Sequence, residues 1–131
     1  MDLKECIEKS AVVAKFGRYA YLKVKEPTTL DNHFMITQDD DEITVVTREE
    51  NIKNLNPVEV VGFYRLIEFK CANPFNACGF LEAISGSISK NNSCCLIVST
   101  FSKDYCLVKE EKLEIALKAF AERGFKSITV E

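Results

Sequence analysis

The sequence VVGFYRLIEFKC, residues 60–71, opens the stretch of the chain that decides the fold. It is rich in the β-branched and aromatic residues that pack well on a pleated surface. Apolar residues such as Leu66 and Phe69 are interleaved with charged residues such as Arg65 and Glu68. Such interleaving is typical of a strand with one buried face and one solvated face. We therefore predict a strand over these residues.

A helix is predicted after this strand. Asn73 to Asn76 break the strand and suit a helix start, because Asn caps free backbone amides and Pro74 fits the first helical position. Asn91 and Asn92 are expected to end the helix, since Asn tolerates the left-handed conformation common at that point. Between them, apolar residues recur at spacings of three and four, which places them on one helical face. These residues are Ala77, Phe80, Leu81, Ile84 and Ile88.

A hairpin and a second helix follow. Two strands, Cys94 to Phe101 and Tyr105 to Val108, are separated by Ser102-Lys103-Asp104, whose length and chemistry suit a tight turn. Glu110 to Arg123 is predicted as a helix, because acidic residues open it, an apolar stripe follows, and Gly124 stands at its end.

The last predicted element, a strand over Phe125 to Val130, completes a regular order. From Glu59 to Val130 the elements follow the order βαββαβ. This order predicts a ferredoxin-like α+β fold, in which two helices cover one face of a four-stranded antiparallel sheet.

The N-terminal half is predicted to be rich in strands. Asn56-Pro57 marks a linker, so the chain is divided into residues 1–57 and residues 58–131. We expect the two halves to share a sheet or to pack side by side. In chain order, the predicted N-terminal elements are a helix over Asp2 to Lys15, strands over Tyr19 to Val24, His33 to Gln38 and Glu42 to Thr47, and a short helix over Arg48 to Asn54.

Composition and charge exclude several classes of partner. The chain of 131 residues carries 17 basic and 20 acidic residues, a net charge of -3, which argues against nucleic acid as a partner. No apolar run reaches the roughly 18 to 20 residues that a membrane span needs, and the N-terminus shows no secretion signal. The protein is therefore expected to be cytoplasmic and to bind no membrane.

No catalytic group or metal site is predicted. The six cysteines lack a CxxC spacing and are expected to be buried, reduced thiols, with metal ligation and redox switching as the alternatives. His33 lies at a strand start without the partners of a catalytic centre. Asp39 to Asp41 lack the alternation of a calcium loop and suit a solvated hairpin tip. We therefore expect neither an enzyme nor a bound cofactor.

Two motifs resemble the ACT domain family. The helix start Gly79-Phe80-Leu81 is similar to the glycine-hydrophobe-leucine start of the first ACT helix. The run STFSKDYCLVKEE, residues 99–111, with the apolar positions after it, resembles the signature of small stand-alone prokaryotic ACT-domain proteins and of the related cytosolic arginine sensors of animals. The resemblance covers Phe63 to Phe125. The stretch from Phe16 to Asn54 more weakly resembles an incomplete ACT-like unit.

The resemblance implies a ligand site at the turn between the first strand and the first helix, residues 72–79. ACT domains place small effectors, usually amino acids, at this turn, where free backbone amides suit a carboxylate. By this resemblance Gly79 lets the ligand approach the backbone, and Glu82 meets a cationic group. Thr100 and Phe101 supply backbone and wall, and Asp104 pairs with a ligand nitrogen.

Each of these residues also has a purely structural interpretation. Gly79 relieves crowding between helix and strand, Glu82 is a solvated helix residue, Phe101 belongs to the core, and Asp104 caps the hairpin turn. Asn92 stands where many family members have glycine, and the 73–76 turn also departs from the usual pattern, so the ligand's identity stays open.

The family resemblance implies a non-catalytic regulatory module that binds a small ligand, expected to be an amino acid, at a subdomain or subunit interface. A homodimer is expected, and any regulatory effect must reach a partner protein encoded elsewhere. The alternative is a structural or oligomerisation protein with no ligand.

Overall fold

The structure is a computed structural model that describes residues 2–26, 29, 31–71 and 77–131. In chain order its elements are α1 (Leu3–Lys9), β1 (Ala11–Ala14), β2 (Tyr19–Val24), β3 (His33–Gln38), β4 (Ile43–Arg48), a 3-10 helix (Glu49–Asn54), β5 (Glu59–Lys70), α2 (Phe80–Ser89), β6 (Cys95–Ser99), β7 (Asp104–Lys109), a second 3-10 helix (Glu110–Lys112), α3 (Leu113–Arg123) and β8 (Ser127–Val130).

The predicted α+β fold class is confirmed. From β5 onward the elements follow the βαββαβ order, and the three predicted N-terminal strands are present as β2, β3 and β4. Helix α2 begins at Phe80 and is followed by Asn92 in the left-handed conformation, with a φ of 53°. The helix start predicted at residues 73–76 lies outside the described residues.

The chain divides into two compact units. Unit one comprises the described residues of Met1–Phe16 and Arg65–Glu131, and unit two comprises those of Gly17–Tyr64. In unit two, β3 pairs with β4, β4 with β2, and β2 with the first half of β5, all antiparallel. The core of unit two is formed by Ala20, Leu22, Val24, Ile43 and Val45. The division of the chain at residues 57 and 58 stays a prediction.

The sheet of unit one contains a strand that the sequence did not reveal. Strand β1 lies between β5 and β8, antiparallel to β5 and parallel to β8. On the other side, β7 pairs with β5 and with β6. The predicted four-stranded antiparallel sheet is therefore wrong in its strand number and in the pairing of its last strand.

The predicted helix over Asp2 to Lys15 is also wrong in its second half. Asp2 caps α1 by accepting a hydrogen bond from the Glu5 amide at 2.8 Å, but the helix ends at Lys9. Ser10 has an extended backbone, and its hydroxyl donates to the carbonyl of Cys6. The residues after it include the β-branched Val12 and Val13, which favour a strand once β5 and β8 flank them.

The described helices α1, α2 and α3 share one core with the sheet of unit one, and this core contains a cluster of aromatic rings. Phe69 of β5 contacts Phe120 of α3 edge to face, with ring centroids 5.0 Å apart. Phe80 at the start of α2 and Phe125 before β8 pack on Phe69 in the same way, at 6.4 and 5.4 Å. Because these rings are buried, they fix where α2 begins relative to the sheet.

Candidate ligand site

An open cleft lies between the start of α2 and the β6–β7 hairpin of unit one. Its volume is about 450 Å³. Four of the five predicted site residues line it, and Phe101 does not. The lining residues are Ala77, Gly79, Phe80, Leu81, Glu82, Ser99, Thr100 and Asp104.

Gly79 shapes the α2 side of the cleft. It precedes the helix in the left-handed conformation, with a φ of 85°, which a glycine adopts without strain. Its carbonyl accepts the Ala83 amide at 3.0 Å, whereas no side chain of the described residues caps the helix. The amides of Leu81 and Glu82 belong to the first turn, where an α-helix supplies no backbone partner. This end of the cleft therefore offers N–H donors and the positive end of the helix dipole.

Asp104 supplies a carboxylate on the hairpin side. The residue is only 6% exposed, and its Oδ1 accepts a hydrogen bond of 2.6 Å from the Ser99 hydroxyl. No lysine or arginine in the part of the chain that the structure describes forms an ion pair with it. A carboxylate with so little access to water is stabilised by a cationic group, which a ligand can supply.

The hairpin turn is closed by Thr100 and Lys103. The carbonyl of Lys103 accepts the Thr100 amide at 2.8 Å and the Thr100 hydroxyl at 3.2 Å. These bonds hold the turn without the side chain of Asp104, which bonds instead to the residue opposite it in the β6–β7 ladder.

Glu82 and Phe101 differ in their relation to the cleft. Glu82 is exposed and lines it, and its Oε1 would lie 2.9 Å from a Cβ added at Gly86. The Glu82 carboxylate therefore lies beside Gly86, one turn further along α2, where the absence of a side chain leaves room for it. Phe101 is 82% exposed at the tip of the hairpin. Its role as a wall of the site stays a prediction.

Sequence reasoning missed Ser99, the residue that holds Asp104. The turn predicted over Ser102 to Asp104 did not place Ser99 opposite Asp104, whereas the structure pairs these two residues across the β6–β7 ladder. Ala77 lies within the turn predicted to hold the ligand, and Phe80 and Leu81 belong to the first family motif; all three line the cleft, although no role in the site was predicted for them.

The cysteines lie outside the lining of the cleft, and not all of them are buried. All six are free thiols; Cys6, Cys71 and Cys106 are buried, whereas Cys78 and Cys94 are exposed. The expectation of uniformly buried thiols is therefore wrong, since Cys94 lies just before β6 and Cys78 in the turn before α2.

Two cysteines of neighbouring strands influence each other's ionisation. A hydrogen bond from Cys106 lowers the pKa of Cys95 to about 7, although partial burial opposes the shift. The same hydrogen bond and burial raise the pKa of Cys106 well above its ordinary value. Among the residues that the structure describes, no three His, Cys, Asp or Glu side chains are grouped as metal ligands.

His33 belongs to a small polar network in unit two. Its Nδ1 lies 2.9 Å from the hydroxyl of Thr47, which also accepts a hydrogen bond from the Asn51 amide group. Thr47 is fully buried, so these contacts satisfy its hydroxyl. The network joins β3, β4 and the 3-10 helix after β4.

None of the described helices has the length and apolar character needed to cross a membrane.

Several solved structures share this fold at low sequence identity. A Vibrio cholerae protein of unknown function, described as a possible transport protein, has a TM-score of 0.77 and 17% identity, over 93% of this chain and 95% of its own. An Agrobacterium tumefaciens protein has a TM-score of 0.72 and 24% identity, over 93% of each chain. The ligand-free regulatory subunit of aspartate kinase from Thermus thermophilus has a TM-score of 0.64 and 9% identity, over 90% of this chain and 97% of its own.

A family model agrees with the fold. A search of curated proteins gives no significant match. Residues 59–122 match the model of the ACT domain, and this range contains both motifs on which the resemblance was based. The resemblance to the ACT domain family is therefore confirmed over residues 59–122.

Proposed function

We propose that this chain is a non-catalytic regulatory module that binds an amino acid in the cleft between α2 and the β6–β7 hairpin. The observation that carries the proposal is the pairing of two complementary groups across one cleft. A buried carboxylate, Asp104, lines one side, and the start of α2, which no side chain of the described residues caps, lines the other.

An amino acid has the two charges that this arrangement suits. Its α-carboxylate would accept hydrogen bonds from the amides of Leu81 and Glu82, at the positive end of the helix dipole. Its α-ammonium would pair with Asp104, in a charge-assisted hydrogen bond that repays part of the cost of burying the carboxylate. Glu82 adds a second carboxylate at the mouth, which favours amino acids with a cationic or polar side chain over acidic ones.

The regulatory part of the proposal draws on the family and on the fold. Aspartate kinase regulatory subunits have the same fold at TM-scores of 0.64 and identities of 8 and 9%. The described residues that line the cleft include no histidine, cysteine or lysine; their acid–base and hydroxyl groups are the carboxylates of Glu82 and Asp104 and the hydroxyls of Ser99 and Thr100. The module would then act on a separate partner protein, through a change in association when the ligand binds.

A thermal-shift screen against the twenty amino acids tests the proposal. A ligand that binds only the folded protein stabilises it by about 2.7 kcal/mol at a hundredfold excess over its dissociation constant. The matched controls are the N-acetylated and the carboxamide forms of the amino acid that gives the largest shift, since each lacks one of the two charges. We expect both controls to lose most of the shift. No shift with any amino acid would favour the alternative, a structural protein without a ligand.

A further inference from the structure

A glutamate on β5 contacts both residues that flank Asp104. The side chain of Glu68 is only 14% exposed. Its Oε2 lies 3.3 Å from the Nζ of Lys103 and accepts a hydrogen bond of 3.3 Å from the Tyr105 hydroxyl. Lys103 and Tyr105 are the residues immediately before and after Asp104. Because neighbouring side chains on a strand alternate between its faces, Glu68 holds the two neighbours from the face opposite to the cleft.

Lys103 connects Glu68 to the hairpin turn. Its ammonium group pairs with Glu68, while its carbonyl accepts both hydrogen bonds from Thr100 that close the turn. The hydrogen bond to Glu68 is the main reason that the pKa of Lys103 is raised. Lys103 is therefore charged at neutral pH. It links β5 to two residues that line the cleft, Thr100 and the next residue in the chain, Asp104.

Lys15 is the second lysine among the described residues that forms an ion pair with Glu68, but it lies closer to Glu131. The Nζ of Lys15 lies 3.9 Å from Glu68 but 2.9 Å from Glu131. Lys15 belongs to the segment after β1, so it does not hold the hairpin. The contact with Lys103 is the shorter of the two ion pairs that Glu68 makes with lysine.

We propose that Glu68 is a positioning residue for the ligand cleft. Through Lys103 and Tyr105 it fixes the start of β7 and the Thr100 to Lys103 turn, so that the carboxylate of Asp104 faces the ligand. Glu68 itself does not line the cleft. The effect on ligand affinity rests on the proposed function, whereas the effect on the hairpin does not.

Amide hydrogen exchange of the ligand-free protein tests the positioning directly. In Glu68→Gln we expect the Thr100 amide, which bonds to the Lys103 carbonyl, to exchange about tenfold faster. The Ala83 amide in α2 is the internal control and should not change. The matched variant Glu8→Gln removes a carboxylate that pairs with Lys126 at 2.8 Å, outside the lining of the cleft, and should leave Thr100 unchanged. Equal Thr100 exchange in Glu68→Gln and the wild type would overturn the inference.

Ligand titration adds a second readout that a general loss of stability would not produce. We expect Glu68→Gln and Lys103→Met each to weaken amino-acid binding by about fivefold to tenfold. The double variant should bind about as weakly as Glu68→Gln alone, because Glu68→Gln already removes the ion pair that Lys103→Met removes. Lys103→Arg keeps the ion pair and should restore the affinity. Additive losses of affinity, or wild-type affinity in Glu68→Gln, would contradict the inference. If the wild-type protein binds no amino acid, the proposed function is refuted, and the hydrogen-exchange experiment still tests the inference about the hairpin.

Discussion

At the residue scale, Asp104 combines low exposure with one neutral side-chain partner among the residues that the structure describes. Its carboxylate accepts a hydrogen bond from Ser99 and is 6% exposed. A buried carboxylate left in this state carries a desolvation cost that a bound ammonium group reduces. The same feature makes Asp104 the residue whose charge the ligand should sense most strongly.

The variant Asp104→Asn should weaken amino-acid binding by about tenfold to a hundredfold, since hydrogen bonds to charged groups contribute about 1.5–3 kcal/mol. The asparagine keeps the shape of the side chain and still accepts from Ser99, so the midpoint of unfolding should change little. Isothermal titration with the best amino acid measures the affinity. Asp40→Asn, at an exposed hairpin tip in unit two, is the matched control. Equal affinities in the two variants would remove Asp104 from the site.

Cys95 should react with iodoacetamide at a rate that rises with pH and reaches half its maximum near pH 7. The reason is that the thiolate is the reactive form and that the pKa of Cys95 is lowered to about 7. Mass spectrometry of digested protein, after timed alkylation between pH 5 and 9, measures the rate for each cysteine. The variant Cys106→Ser changes the partner of Cys95 and should move the midpoint. A midpoint above pH 8 in the wild type would show that the two thiols do not interact.

At the element scale, local pattern predicted most of the fold but not β1. The strands β2 and β3 have the predicted limits, since alternation and turn residues mark them within a few positions. Strand β1 has only four residues, and it exists because β5 and β8 pair with it from distant parts of the sequence. The apolar residues before it fitted a helical period, so the helix was extended through Ser10. Long-range pairing of this kind leaves no local signal.

In the ligand site, too, local sequence motifs predicted some residues, whereas others depend on long-range strand pairing. Gly79, Thr100 and Asp104 were found because two family motifs carry them, and Glu82 was found because the family resemblance implies a role for it one turn into the helix. The structure brings these four to one cleft. Ser99 and Glu68 act across a hairpin and across a sheet. Their importance depends on which strands are neighbours, which the composition of a short segment does not reveal.

Two glycine substitutions should have opposite effects on stability. Gly124 ends α3 with a φ of 123°, so Gly124→Ala should destabilise the protein by about 1 kcal/mol or more through backbone strain. Gly86 lies inside α2, and Gly86→Ala should stabilise it by up to about 1 kcal/mol if the Glu82 carboxylate moves aside. Urea unfolding followed by circular dichroism measures both. A loss of stability in Gly86→Ala would show that Glu82 is held in place.

At the scale of the whole molecule, the expected homodimer follows from the family and from the sheet edges. β6 pairs only with β7 among the described strands, and its free edge can receive a second chain. One chain has a mass of 14.8 kDa. We predict a species of twice that mass in sedimentation equilibrium. Adding the amino acid should change the dissociation constant of the dimer if the module regulates through association. A monomer at every concentration, with and without ligand, would contradict this mode of regulation.

The central claim is that an amino acid binds in the cleft between α2 and the β6–β7 hairpin. The most direct measurement is a heteronuclear NMR titration of isotope-labelled protein with the amino acid that gives the largest thermal shift. The claim predicts saturable shifts of the backbone amides of residues 79–82 and 99–104, and it predicts that Asp104→Asn reduces them. Saturable shifts confined to other parts of the chain, or no shifts at millimolar ligand, would contradict it.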